Sequence, residues 1–110
     1  MMTRREERIA FNEALFRQVN ERIEETLTDM GDRSASIEIF CECGQGECME
    51  KIRVGRDVYE QVRQHSARFL IALGHDAPDV DRVIETLDTF QIVEKHPEEA
   101  VIARATDPRA

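Results

Sequence analysis

Three cysteines that lie close together along the chain are the residues best suited to chemistry. They are Cys41, Cys43 and Cys48, they fall within eight residues, and the sequence contains no other cysteine. Because Cys41 and Cys43 are two positions apart, both side chains project to the same side at the end of a strand. Gly44 and Gly46 lie inside the loop, and glycine accepts the positive φ angles that let a tight turn bring backbone N–H groups towards sulfur. The pattern predicts a site at which three thiolates converge.

A tetrahedral metal site needs a fourth ligand, and a histidine is the expected one. His75 is the best candidate, because the preceding apolar segment ends at Gly74 and its end would bring the imidazole beside the cysteine loop. Asp76 or a backbone carbonyl would then hold the imidazole in one tautomer. His96 is a second candidate, and His65 is expected to be a solvated side chain on a helix.

Zinc is the expected metal, since soft thiolates and imidazole in a tetrahedral arrangement favour it. In a small domain, the binding energy of such a site is folding energy. The sequence therefore predicts a structural zinc site with four ligands, which are Cys41, Cys43, Cys48 and His75.

Two other interpretations of the cysteines stay open. In the first, Cys41 and either Cys43 or Cys48 form a reversible disulfide, and the third thiol is left for exchange. The spacing differs from the C-x-x-C of thioredoxin-like sites, and a permanent disulfide is not expected in a cytoplasmic protein. In the second interpretation, the three cysteines have unrelated roles.

An enzyme is not expected from this sequence. A nucleophilic pair of Cys48 and His75 would need the residues that the metal takes. No glycine-rich phosphate loop follows a strand. If zinc held only the three thiolates, an open position could bind water, so a metalloenzyme is the weaker alternative.

Composition narrows the class of protein. The 110 residues suit a single domain, and 15 basic against 23 acidic side chains give a formal net charge of −8. This balance disfavours nucleic acid, and no apolar stretch is long enough to cross a membrane. No secretory signal is recognised, so a cytoplasmic protein is expected. Residues 76–110 carry nine acidic and four basic groups, which form either a solvated surface or a face for a basic partner.

A long N-terminal helix is expected over residues 4–30. Thr3 and Glu6 fit a capping box, and Gly31 is suited to a left-handed C-terminal cap. Its apolar positions are Ile9, Ala14, Leu15, Phe16, Val19, Ile23, Leu27 and Met30. Such a helix either packs across its own sheet or pairs with a second copy or another protein, in which case Asn12 would set the register.

Alternation of apolar residues predicts a hairpin over residues 37–54, with the cysteine loop at its tip. The remaining expected elements are a helix over 56–64, a buried central strand over 67–73, a strand or helical turn over 81–87, a strand over 90–95, and an acidic tail over 97–110 that frays beyond Ala103.

Several short stretches together form a recognisable pattern. They are N-E-x-L-F-R-x-V-N-E-R-I at 12–23, F-C-E-C-G at 40–44 with Cys48, G-H at 74–75, and V-E-K at 93–95. Over most of residues 4–95 the chain resembles a family of small actinobacterial proteins. The resemblance implies that the three cysteines and His75 are metal ligands, and it implies no activity.

Together these observations predict a single α+β domain over residues 1–110. The long helix would pack on a small antiparallel sheet, within a core of residues 36–96 that carries the zinc-binding hairpin loop. The expected function is that of a small cytoplasmic zinc protein, acting as a non-catalytic protein-interaction or regulatory module through the long helix or the acidic C-terminal third. The alternative is a thiol-based redox or zinc-responsive switch.

Overall fold

The structure is a computed structural model that describes residues 2–109. It has the expected α+β class, with three helices and five strands in the described residues. In chain order the elements are α1 (Arg4–Asp29), β1 (Ser36–Phe40), β2 (Lys51–Gly55), α2 (Arg56–Arg63), β3 (Arg68–Ala72), β4 (Asp81–Thr86), β5 (Phe90–Lys95) and α3 (Pro97–Ala105). None of the helices in residues 2–109 combines the length and the apolar character that a membrane span requires.

The N-cap and the C-cap of α1 lie where the sequence predicts them. At the start, the hydroxyl of Thr3 accepts the backbone N–H of Glu6 at 3.1 Å. At the other end, Gly31 has a φ of +83°, and the N–H of Asp32 donates to the carbonyl of Leu27 at 2.9 Å. This is the Schellman arrangement, which satisfies carbonyls that have no partner within the helix.

The strands form two antiparallel sheets where one was expected. β1 and β2 pair as the predicted hairpin, with Ser36 opposite Gly55 and Phe40 opposite Lys51. The second sheet has the order β3-β5-β4. For residues 81–87 the sequence did not distinguish a strand from a helical turn. In the structure this segment contributes the edge strand β4.

The prediction that residues 67–73 form a central strand is wrong, because β5 lies in the middle of its sheet. β3 is nevertheless buried, since the chain after β1 covers its free edge. The N–H of Glu42 donates to the carbonyl of Leu70 at 2.8 Å, and the N–H of Leu70 donates to the carboxylate of Glu42 at 2.9 Å. The backbone N–H and the side chain of Glu42 together thus supply the pairing that a neighbouring strand would give.

Where the sequence predicted a partly frayed tail, the chain continues after β5 as the helix Pro97–Ala105. Proline is favoured in the first turn of a helix, where its missing N–H costs nothing. The carbonyl of Ala103 accepts a hydrogen bond from the buried guanidinium of Arg17 at 2.7 Å. Beyond the helix, Arg109 pairs with Glu60 at 2.7 Å. These long-range contacts hold a segment that has few apolar anchors of its own.

α1 packs against β1 and α3, and its inner face is largely polar. The buried residues on that face are Ile9, Ala10, Glu13, Ala14, Arg17, Asn20 and Glu21. Asn12, which the sequence suggested as a register residue between helices, instead donates to the carbonyl of Gly44 at 3.2 Å. The helix is therefore fixed by hydrogen bonds to loops and strand ends as well as by apolar packing.

A buried ionic cluster joins α1 to the second sheet. The ammonium of Lys95 donates to Glu13 at 2.9 Å and lies 3.4 Å from the carboxylate of Asp81. Burial raises the pKa of Glu13 to about 8, because removal from water outweighs the attraction of Lys95. With two carboxylates around one ammonium, a proton on Glu13 makes the cluster neutral.

This cluster leads to a pH-dependent prediction. The pKa of Glu13 is raised from 4.5 to about 8 on folding, so its contribution to stability is complete below pH 4.5 and is lost as the pH rises through 8. We expect Glu13→Gln to remove this fall, which is at most about 1.4 kcal/mol per pH unit. Urea unfolding at intervals from pH 5 to 9 measures the difference from the wild type. Glu7→Gln, an exposed position on the same helix, is the control, and a Glu13→Gln curve parallel to the wild type contradicts the prediction.

Candidate metal centre

The four predicted ligands converge at the tip of the β1–β2 hairpin. Cys41 and Cys43 follow the end of β1, Cys48 lies shortly before β2, and His75 follows the end of β3. One ligand atom from each of the four residues lies within 4.8 Å of the others. These four residues therefore lie close enough to hold one metal ion.

The distances at His75 match tetrahedral coordination. Its Nδ1 lies 3.6 Å from Sγ of Cys41 and 3.6 Å from Sγ of Cys48. A sulfur about 2.3 Å and a nitrogen about 2.0–2.1 Å from one zinc ion, separated by the tetrahedral angle, lie about 3.5–3.6 Å apart. The donor set and its spacing thus fit zinc, with Nδ1 as the nitrogen ligand.

The other nitrogen of the imidazole faces a carboxylate. Nε2 of His75 lies 3.2 Å from Oε2 of Glu50, which immediately precedes β2. A carboxylate in this position holds the N–H on Nε2 and leaves Nδ1 as the ligand. The sequence suggested Asp76 for this role. Glu50 takes it because the hairpin turns the start of β2 towards the end of β3.

Hydrogen bonds also reach the sulfur atoms. The backbone N–H of Ala72, at the end of β3, donates to Sγ of Cys41 at 3.1 Å. Hydrogen bonds from the Cys41 thiol and from the N–H of Gln45 lower the pKa of Cys43 to about 5. The same contact with Cys43, together with burial, raises the pKa of Cys41. The contact between the two sulfur atoms thus favours the thiolate form at Cys43, and the thiolate is the form that binds metal.

The centre is closed on one side and open on the other. Cys41 is 1% and Cys43 3% exposed, whereas Cys48 and His75 are partly exposed. A shallow cavity of about 220 Å³ lies beside them, lined by Cys43, Gln45, Cys48, Gly74, His75 and Asp76. Solvent therefore reaches the centre from the side of Cys48.

Glu42, between the first two cysteines, is a residue whose role the sequence did not reveal. The strand pattern indicated an outward-facing polar residue, but its side chain is fully buried. Its carboxylate accepts hydrogen bonds from Arg63 at 2.6 Å and from Asn20 at 2.7 Å, besides that from Leu70 at 2.9 Å. It fixes the backbone between two ligands against α1, α2 and β3.

The two glycines of the loop share a backbone conformation but differ in the space around them. Both have positive φ angles, +69° at Gly44 and +54° at Gly46. A Cβ on Gly44 would lie 2.5 Å from the carbonyl oxygen of Ile9 and 2.8 Å from Cγ of Glu13, whereas a Cβ on Gly46 would meet no atom within 4 Å. Gly44 alone is therefore also the point of closest approach between the loop and α1.

This difference predicts unequal effects of alanine. We expect Gly46→Ala to cost about 1–2 kcal/mol, the strain of a left-handed backbone. Gly44→Ala carries the same strain plus overpacking against α1 of about 1–3 kcal/mol, for a total of about 2–5 kcal/mol. Urea unfolding of the metal-loaded proteins measures both. Equal losses of unfolding free energy for the two variants would show that a side chain at position 44 does not clash with α1.

The other histidines are not part of the cluster. His96 lies at the start of α3, where its Nε2 is 2.9 Å from the carbonyl oxygen of Pro78. His65 follows the end of α2 and lines a separate surface groove. The choice of His75 over His96 is thus consistent with the geometry. In residues 2–109, a second group with metal-like spacing consists of carboxylates alone: Glu6, Glu98 and Glu99.

Comparisons of the chain with protein families, with curated proteins and with solved structures yield no match. The resemblance to a family of actinobacterial proteins therefore stays a prediction from the sequence. The case for a metal centre depends on the geometry of the four residues.

Proposed function

We propose that this chain is a small cytoplasmic zinc-binding protein with a structural site, acting as a non-catalytic interaction or regulatory module. The observation that carries the proposal is the convergence of three sulfur atoms and one imidazole nitrogen within 4.8 Å. Soft thiolates with one imidazole favour zinc over the harder divalent ions.

A structural role follows from the number and placement of the ligands. Four protein ligands complete a tetrahedral shell, and a closed shell has no position for a reacting water. The ligands come from both sheets, since the cysteines belong to the β1–β2 hairpin and His75 follows β3. Zinc in this position ties the hairpin tip to the second sheet.

Elemental analysis of the purified protein tests the metal. We expect one zinc per chain in the wild type and in His96→Asn, which changes a histidine outside the cluster. His75→Asn is expected to lose zinc or bind it far more weakly. A wild-type protein that folds without bound metal, even after zinc is supplied, contradicts the proposal.

A redox switch is the second candidate, and the exposure of one ligand favours it. Cys48 is the least buried of the three cysteines and lines the open cavity. Hydrogen peroxide would oxidise its thiolate to a sulfenic acid with release of hydroxide. The Cys43 thiolate would then attack that sulfur and expel a second hydroxide. The resulting disulfide removes two of the four ligands. The two thiolates have together lost the two electrons that reduced the peroxide.

Peroxide titration separates the two candidates. If the site is a switch, a stoichiometric amount of peroxide releases zinc and forms a disulfide, and a thiol reductant reverses both. Zinc release is followed with a chromogenic chelator and the fold by circular dichroism. Retention of zinc at a tenfold excess of peroxide contradicts the switch and leaves the structural site.

A further inference from the structure

The segment that carries the first two cysteines is held from behind by α1. Phe40 and Glu42 alternate along this segment with the two cysteines. The ring centres of Phe40 and of Phe16, on α1, lie 6.2 Å apart, and the carboxylate of Glu42 accepts a hydrogen bond from the same helix. The sulfur atoms of Cys41 and Cys43 belong instead to the metal cluster. One side of the segment therefore faces the helix and the other faces the metal centre, as side chains alternate along an extended chain.

Asn20 makes the principal contact between the helix and this segment, and it is fully buried. Its amide nitrogen donates to the carbonyl of Phe40 at 2.8 Å and to the carboxylate of Glu42 at 2.7 Å. Its amide oxygen accepts the N–H of Phe40 at 2.9 Å. Phe40 thus exchanges both backbone hydrogen bonds with one side chain, as it would with a residue of a neighbouring strand. A side-chain amide can do this because it offers donors and an acceptor together.

Asn12 makes the corresponding contact at the other end of the segment. Its amide nitrogen donates to the carbonyl of Gly44 at 3.2 Å, directly after Cys43. The eight residues from Asn12 to Asn20 rise about 12 Å along the helix, and the four residue steps from Phe40 to Gly44 span at most about 14 Å. These lengths are comparable, so the two asparagines can hold both ends of the segment at once. The chain contains no other asparagine.

We infer that Asn12 and Asn20 are positioning residues of the metal centre, which hold Cys41 and Cys43 in the geometry that the metal requires. The inference rests on the metal site proposed above and adds to it two residues that are not ligands themselves. Their contacts fall on the residues directly before, between and after the two cysteines, so a shift at any of these contacts moves a sulfur atom. Residues that orient the ligands of a metal determine its affinity almost as the ligands do.

Chelator competition on the zinc-loaded full chain tests the inference. A chromogenic chelator is titrated against the wild type and each variant, and the zinc that it removes gives the relative affinity. We expect Asn20→Ala to bind zinc about 10–100-fold more weakly than the wild type. Asn12→Ala should lose less affinity, because it gives up one hydrogen bond instead of three. Gln18→Ala, an exposed position on the same helix, is the control and should keep the wild-type affinity.

Cobalt(II) in place of zinc distinguishes positioning from general stabilisation of the fold. Its visible absorption bands report the geometry of a tetrahedral site and its thiolate ligands, and they do not depend on the free energy of unfolding. We expect shifted or weaker bands in cobalt-saturated Asn20→Ala and wild-type bands in Gln18→Ala. A lower free energy of unfolding in Asn20→Ala, together with wild-type zinc affinity and wild-type cobalt bands, overturns the inference, because it shows a purely structural role.

Asn12→Ala provides the test if Asn20→Ala does not fold, since Asn12 is only partly buried. A zinc affinity of Asn12→Ala equal to that of Gln18→Ala then overturns the inference. The zinc content of the wild type separates this inference from the proposed function. One zinc per wild-type chain with unaffected variants contradicts only the positioning role. A wild type that binds no zinc contradicts the proposed metal site, and the positioning role with it.

Discussion

Cys43→Ser is expected to abolish stoichiometric zinc binding and to lower the melting temperature by at least about 12 °C. The side chain is buried, and a serine hydroxyl is a poor ligand for zinc beside thiolates. Structural zinc sites contribute about 10–16 kcal/mol of binding free energy. A loss of only about 3 kcal/mol corresponds to about 12 °C or more in a domain of this size. Calorimetry of the two proteins, with elemental analysis of each, measures the effect.

A matched control separates metal loss from a change of side chain. A strong chelator added to the wild type is expected to lower its melting temperature to a similar value and to have little effect on Cys43→Ser. His96→Asn should respond to the chelator as the wild type does. A metal-free Cys43→Ser protein that keeps the wild-type melting temperature would exclude a structural metal at this site.

Glu42→Leu is expected to destabilise the fold by about 3–5 kcal/mol. The carboxylate pairs with Arg63, and the side chains of both residues are almost fully buried, at 0% and 1% exposure. Removing one partner leaves a buried guanidinium without its counter-charge. The change also leaves the N–H of Leu70, on the edge of β3, without its hydrogen-bond acceptor. Urea unfolding of the zinc-loaded protein gives the free energy.

The double variant Glu42→Leu with Arg63→Met distinguishes the lost charge pair from general damage to the core. Replacing both members of a buried pair with apolar groups is often neutral. We therefore expect the double variant to recover a substantial part of the stability, with strongly non-additive effects of the two changes. Additive losses would show that the pair is not the source of the effect.

The convergence of the candidate ligands could be predicted because three of the four are grouped locally. Cys41, Cys43 and Cys48 share one loop, and two glycines with positive φ shape it, as their spacing indicates. The pairing of the two hairpin strands holds this loop in place. The alternation of Ile37 and Ile39 with polar residues predicts that pairing. His75 required one assumption about a distant segment, namely that β3 ends beside the loop.

The surroundings of the site could not be predicted because they depend on contacts between distant segments. Glu50 and Asp76 are both carboxylates near a ligand, and only the path of the hairpin decides which one reaches Nε2 of His75. Glu42 has the sequence context of a surface residue. It is buried because Asn20 on α1 and Arg63 on α2 provide partners for its carboxylate.

The sequence by itself determined the cysteine loop, the caps of α1, the hairpin and the α+β class, because each of these depends on residues a few positions apart. Only the tertiary structure decided four other features. They are the division into two sheets, the central position of β5, the helix α3 and the polar inner face of α1. Apolar periodicity assumes that polar residues face water. Where buried charges find partners from distant segments, as Glu13 and Arg17 do, the helix leaves apolar residues such as Phe11 and Leu15 exposed instead.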